Sequence, residues 1–246
     1  MSAEVRREAV IHALPETVFR LLTEPALFAA WWGERSRIQP EPGGEVYIRY
    51  PNGASASGEV REIQAPERIV FTFGYDSGKP FGPSETMVTI EVAAHPDGAL
   101  LRLVHELPNA DLRDMHLPGW RYQMAVFARV AAAEQHADAE ARVDAWLAAW
   151  NDADAEALAA VATETVEYRD DWGLTRGRDE LLRHIHAAKG HLGWQAVERR
   201  GGVRRGQGTA AVEIVVINRD DQPGFSGLLL FRFAPDGRID QVTVLA

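Results

Sequence analysis

The chain has no cysteine. That one absence removes disulfides, thiolate metal sites, iron–sulfur clusters and cysteine nucleophiles together. Positive charge is also in short supply: 26 Lys and Arg stand against 36 Asp and Glu, a formal net charge of -10. Phosphate binding needs clustered, excess Lys and Arg, so nucleic acid is not expected as a partner. No window approaches the roughly 18 consecutive apolar residues of a membrane helix, so no membrane partner is expected either. The opening MSAEVRREAVIHALPE has no apolar run after its charges and does not read as a secretory signal, which makes the cytoplasm the expected location. What remains is 246 residues, 46% hydrophobic and 25% charged, enough for one large globular domain or two small ones.

The first half alternates strand and helix signals. AVIHAL (9–14) is strand-like, and Pro15 suits the first turn of a short helix whose apolar face is Val18, Leu21 and Leu22. Pro25 opens a second short helix through Leu27, Phe28 and Trp31, and Gly33 stops it. Strand-like stretches follow at 45–50, 57–63, 68–75, 85–94 and 99–107, separated by turn chemistry. From Gly119, no Gly or Pro interrupts the chain until beyond Trp150. Trp120, Met124, Phe127 and Ala131 form one helical face there, and Val143, Trp146, Leu147 and Trp150 open another. The change of face puts a domain boundary near 135–138, with Asp138 a candidate N-cap, and leaves open whether the 119–150 helix runs on or breaks at 136–138. In the second half, helices at about 139–150 and 154–162 lead into the strand TVEYRD (165–170). A helix at about 178–188 and four strands follow, with Gly201-Gly202 and PDG (235–237) as hairpin turns.

Two family likenesses rest on these blocks. ALPETVFRLLTEPALFAAWWG (13–33), PGGEVYIRY (42–50), GEVREIQAPERIVFTF (58–73), LRLVHEL (101–107) and GWRYQMAVFA (119–128) resemble the helix-grip (START-like, SRPBCC) superfamily, in its activator-of-Hsp90-ATPase branch. The resemblance implies, over about 1–135, an antiparallel sheet around a long carboxy-terminal helix with an apolar cavity between them. Over about 138–246, AWLAAWNDADAEALAAVATETVEYRDDWG (145–173), GRDELLRHI (177–185) and LLLFRFAPDGRIDQVTVL (228–245) are similar to the NTF2-like (SnoaL-like) cone of helices and a strongly bent antiparallel sheet. That fold carries cofactor-free isomerases, dehydratases and cyclases as well as non-catalytic binders. The resemblance allows a homodimer through the second domain. The expected class is therefore α+β in two domains.

Candidate sites follow from parity. On a strand, Tyr168, Asp170 and Trp172 share one face and Arg169 and Asp171 the other, so only one acid faces a cone interior. A carboxylate walled by apolar side chains suits general-base work on a carbon acid. The alternative is that Asp170 and Asp171 are solvated residues of the turn before the helix at Arg178. His184 and His186 flank an apolar face of Leu181, Leu182 and Ile185. Their i, i+2 spacing points them apart, which argues against shared metal ligation, though one of them can reach the cone and pair with an acid. No other grouping has metal-ligand spacing, so neither metal nor cofactor is expected. Glu213 and Arg232 interrupt apolar strands and either line the cavity or pair across an outer face. In the first domain Trp31, Trp32, Tyr47, Phe71, Phe73, Met87 and Trp120 are cavity-wall candidates, against a plain core role, and Arg49, Glu59, His105 and Glu106 are the polar candidates, of which only one of the last two can face inward. The four arginines of ERRGGVRRG (198–206) read as a solvated hairpin tip more readily than as an anion site. The leading expectation is a binder of small hydrophobic molecules. Its rivals are an enzyme with Asp170 or Asp171 as base and His184 beside it, and an Hsp90-activator-like interaction module.

Overall fold

A computed structural model describes residues 2–219 and 222–245. The chain divides into two compact units, Met1–Gln135 and His136–Ala246.

The first unit holds β1 (Ala3–Ile11), α1 (Pro15–Thr23), α2 (Pro25–Trp32), β2 (Arg37–Ile38), β3 (Glu45–Arg49), β4 (Ser55–Gln64), β5 (Arg68–Tyr75), β6 (Thr86–His95), β7 (Gly98–Leu107) and α3 (Ala110–Gln135). Its antiparallel sheet runs β1-β7-β6-β5-β4-β3-β2. Period-two alternation gives the sheet its inner face: in β7, Leu101, Leu103, His105 and Leu107 are buried, while Arg102 and Glu106 are exposed. The helix α3 covers that face with Trp120, Met124, Phe127 and Ala131. It starts nine residues before the expected Gly119 because the Asn109 side chain accepts the Leu112 N–H at 2.9 Å and caps it. Pro118 is accommodated inside the helix at the loss of one backbone donor. Gly33 ends α2 at φ +143°, and a Cβ there would lie 2.3 Å from the Arg49 carbonyl oxygen, so no other residue fits.

The second unit begins with α4 (Ala139–Asp152) and α5 (Ala155–Val161). It continues through β8 (Ala162–Asp170), β9 (Gly173–Arg176) and α6 (Arg178–His191) to β10 (Trp194–Arg205), β11 (Thr209–Asn218), β12 (Pro223–Phe233) and β13 (Ile239–Leu245). The helices α3 and α4 are separate, ending at Gln135 and starting at Ala139. Asp138 makes no capping bond and instead accepts from the Arg142 guanidinium at 2.9 Å. A real cap appears at Asp154, whose carboxylate accepts from the N–H groups of Glu156 and Ala157. The sheet order is β10-β11-β12-β13-β8-β9, antiparallel except for the β13–β8 pair.

Two local expectations change. Gly201-Gly202 is not a hairpin turn: β10 runs through it, and the register slips between Arg200 and Arg204, so the pair forms a bulge. The stretch after Asp170 is not a direct strand-to-helix junction. The four-residue β9 pairs back on β8, with Asp170 opposite Gly173, which leaves Asp171-Trp172 as a two-residue hairpin tip.

Candidate ligand site in the C-terminal cone

The second unit encloses a cavity of about 430 Å³. Six aromatic rings line it: Trp146, Trp150, Tyr168, Trp172, Trp194 and Phe225. Leu147, Val197, Ile214, Val216, Leu229 and Val244 supply aliphatic wall, and Leu192 sits at the edge. The lining follows from strand parity. In β8 the inward positions are Val166, Tyr168 and Asp170; in β11 they are Val212, Ile214 and Val216. On α4, Trp146 and Trp150 lie four apart on the buried stripe. The Asn151 side chain fastens that helix end, donating to the Val197 carbonyl at 3.0 Å and accepting from its N–H at 2.7 Å.

Asp170 is the acidic group set into this wall. Its Oδ1 accepts the Trp172 N–H at 2.9 Å, which shapes the hairpin tip. Its Oδ2 lies 2.9 Å from Nε2 of His184, with only 11% and 10% of the two side chains exposed. His184 comes from α6, three residues after the buried Leu181 and one before the buried Ile185. Its ring is surrounded by those of Trp150, Tyr168 and Trp172, at centroid distances of 6.1, 5.1 and 5.2 Å. The Nε2–Oδ2 separation is that of a hydrogen bond, but the ring N–H is not aligned with it, and Nε2 is buried without a directed partner. The two groups are in close contact with one hydrogen bond left unfulfilled. Burial, reinforced by Asp170, pushes the Tyr168 hydroxyl well above the ordinary phenol range, so it stays protonated. Asp171 also lines the cavity, at its exposed mouth, because the turn ends the strand parity that would have turned it away. Trp172 is 54% exposed and stacks on Trp194, with centroids 6.0 Å apart and planes at 25°.

Other expected site residues lie elsewhere. Glu213 and Arg232 are exposed on the outer face of the cone sheet, since Val212, Ile214 and Phe231 take the inward positions. Arg232 holds Asp240 at 2.8 Å there. They are corrected to surface residues. Tyr47 and Arg49 in the first unit are half-buried on the outer face, away from any cavity: Val46 and Ile48 point inward, and Arg37 lies over the Tyr47 ring at 4.2 Å. Of the four ERRGGVRRG arginines, Arg199 pairs with Glu140 and Asp144, and Arg205 reaches the Ala137 carbonyl. His186 is exposed.

The first unit has its own hollow, of about 250 Å³, walled by Trp32, Phe73 and Trp120 together with Tyr50, Tyr75 and His116, which were not singled out in the sequence. Trp31 and Phe71 are buried core instead, and Trp31 donates its indole N–H to the Leu21 carbonyl at 2.8 Å. His105 is fully buried behind this wall. The Trp120 indole N–H donates to its Nδ1 at 3.0 Å, which assigns the proton to Nε2. Nε2 then donates to the Thr86 hydroxyl at 2.8 Å, and that hydroxyl donates to the Phe73 carbonyl at 2.7 Å. Burial, with His116 nearby, pushes the His105 pKa down to about 3, so the ring is neutral. His116 donates from Nδ1 to the Leu112 carbonyl at 2.7 Å and accepts the Tyr75 hydroxyl at 3.2 Å.

An antiparallel sheet packed on a long helix, followed by helices and a bent sheet around a cavity, defines a helix-grip domain joined to an NTF2-like cone. Residues 12–132 match the family described as Activator of Hsp90 ATPase homolog 1-like protein, and residues 143–242 match the SnoaL-like domain. The chain is thus an Hsp90-activator-homolog-like domain followed by a SnoaL-like domain. Similar solved structures include an AHSA1-like protein from Rhizobium etli, at 33% identity over 53% of this chain and 82% of that one, TM-score 0.42. The Aha1 dimer from Colwellia psychrerythraea is 14% identical over 50% and 91%, TM-score 0.44. A SnoaL-like family protein from Agrobacterium tumefaciens is 21% identical over 45% and 96%, TM-score 0.40. No curated protein matches the chain. Among the described residues no group of three or more His, Asp and Glu side chains is placed to hold a metal ion, and no helix is long and apolar enough to cross a membrane.

Proposed function

We propose that the C-terminal cone binds a small, ring-bearing, largely apolar molecule. The observation that carries this reading is the cavity of about 430 Å³ with six aromatic rings and a largely buried carboxylate in its wall. Pockets of roughly 300–1,000 Å³ with apolar walls and a few placed polar groups are the usual form of small-molecule sites. Native mass spectrometry of the purified full chain should show a retained small molecule that organic extraction releases. Trp172→Ala, at an exposed turn, should lower its retention while leaving the fold intact. A bare protein mass, together with no thermal shift across a panel of ring-bearing compounds, would sink the reading.

The contact between Asp170 and His184 supports a second reading, proton transfer. Asp170 takes a proton from carbon and returns it at another position of the same molecule, which is an isomerisation, while the Trp172 N–H holds the carboxylate and His184 stands beside it. No cofactor is needed for such a step. General-base catalysis of this kind is worth roughly 10²–10⁴-fold. Asp170→Asn keeps the Oδ1 that caps Trp172 and removes the base. It should therefore abolish exchange of ligand carbon-bound hydrogen with D2O, with the fold unaffected. Unchanged exchange in that variant ends the proton-transfer reading and leaves the binding one standing.

A further inference from the structure

The sign of the charge around this cavity narrows what it takes. This step rests on the cavity being a binding site. Its polar side chains are the carboxylates of Asp170 and Asp171 and the Tyr168 phenol, and among the described residues no Lys, Arg or His side chain lines it. His184 stands behind Asp170, while Asp171 has no ion-pair partner among the described residues and is exposed at the mouth, so the entrance is acidic. Beside that entrance, Trp172 and Trp194 stack, and Phe225 follows Trp194 at 5.3 Å. Indole and phenyl rings carry negative charge density on their faces, which attracts cations. Aromatic walls with a nearby carboxylate and no competing cation favour a positively charged group over a neutral or negative one. The chain's net charge of -10 adds long-range attraction of the same sign.

We infer that the ligand of the cone is an organic cation, a protonated amine or quaternary ammonium carried on an apolar ring body. The ring body fills the inner wall of Trp146, Trp150 and Ile214. The cationic group rests at the mouth, against Trp172 and between the carboxylates of Asp170 and Asp171. A carboxylate-bearing ligand of the same shape meets two like charges and no donor cation, and is rejected.

Isothermal titration calorimetry on the full chain tests this with three probes that share one ring: 2-naphthylmethylammonium, 2-naphthylmethanol and 2-naphthoate. The ammonium should bind about tenfold tighter than the alcohol, a difference of about 1.4 kcal/mol, and the carboxylate more weakly than either. Asp171→Asn should cut the ammonium-to-alcohol ratio severalfold. The double variant Asp170→Asn, Asp171→Asn should bring it to about one, with an unchanged circular dichroism spectrum and melting temperature reporting that the chain is still folded. Alcohol or carboxylate binding as tightly as the ammonium, or a ratio that survives the double variant, overturns the charge inference alone. Binding of none of the three overturns it together with the cavity reading beneath it.

Discussion

Each unit sets a histidine among aromatic rings, His105 in the first and the half-buried His184 in the second, and the two are used differently. His105 in the helix-grip unit has both ring nitrogens bonded, in a line from the Trp120 indole through Thr86 to the Phe73 carbonyl. His184 in the cone has its Nε2 buried against Asp170 without a directed bond, and that carboxylate opens on a cavity. A polar group whose partners are all supplied by the fold holds the fold together. A carboxylate set in the wall of empty volume, as Asp170 is, stands where a ligand could meet it. The same contrast separates the hollows. The first, of about 250 Å³, is edged by groups bonded to one another, whereas the second, of about 430 Å³, has a carboxylate set in an aromatic wall.

The sharpest way to break that contrast is to remove one tryptophan from each site. Trp120→Ala deletes a buried ring and the donor to His105 together, and should cost the first unit about 3–5 kcal/mol. Hydrogen exchange on β6 and β7 of the full chain would report it. Trp172→Ala, by comparison, should leave exchange in the cone almost unchanged and act on ligand retention. Equal effects on stability would dissolve the distinction.

Acid provides a second test. A histidine held at about pKa 3 when folded, against about 6.5 when unfolded, makes the unfolded state bind the extra proton between those values. Stability of the first unit should thus be fully present above pH 6.5. It should fall as pH drops toward 3, with a slope from this group of about 1.4 kcal/mol per pH unit. His105→Gln should flatten that slope, and a slope unaltered by the substitution would show that His105 is not its source. The smallest effects belong to the corrected surface residues. Glu213→Lys and Arg232→Ala should each change stability by no more than about 0.5 kcal/mol and leave ligand affinity alone.

How far the sequence carried these assignments depended on how local the cause was. The helix-grip strands and the Trp120–Ala131 face were legible because alternation and 3.6-residue spacing are local patterns that burial enforces. Asp170 was legible by the same parity, one step from Tyr168. Its partner was harder to place: His184 is 14 residues away on another element, and only the packing of α6 on β8 brings the two together. The strand GLTR was missed because four residues give too little alternation to register. Glu213 was left open between cavity and outer face because AAVEIVVINR is apolar at both parities, so the pattern does not say which side is inner. The start of α3 was hidden by Pro118 and Gly119, which usually mark an end rather than an interior.

The two-residue tip of the β8–β9 hairpin has a consequence of another kind. Asp171 and Trp172 occupy a solvent-facing loop of minimal length, outside every ladder bond, while the scaffold that holds them is built from residues elsewhere. Changes there can retune what the cavity admits without putting the scaffold at risk. If the cone binds as proposed, the tip is a compact handle for changing what it takes without disturbing the fold.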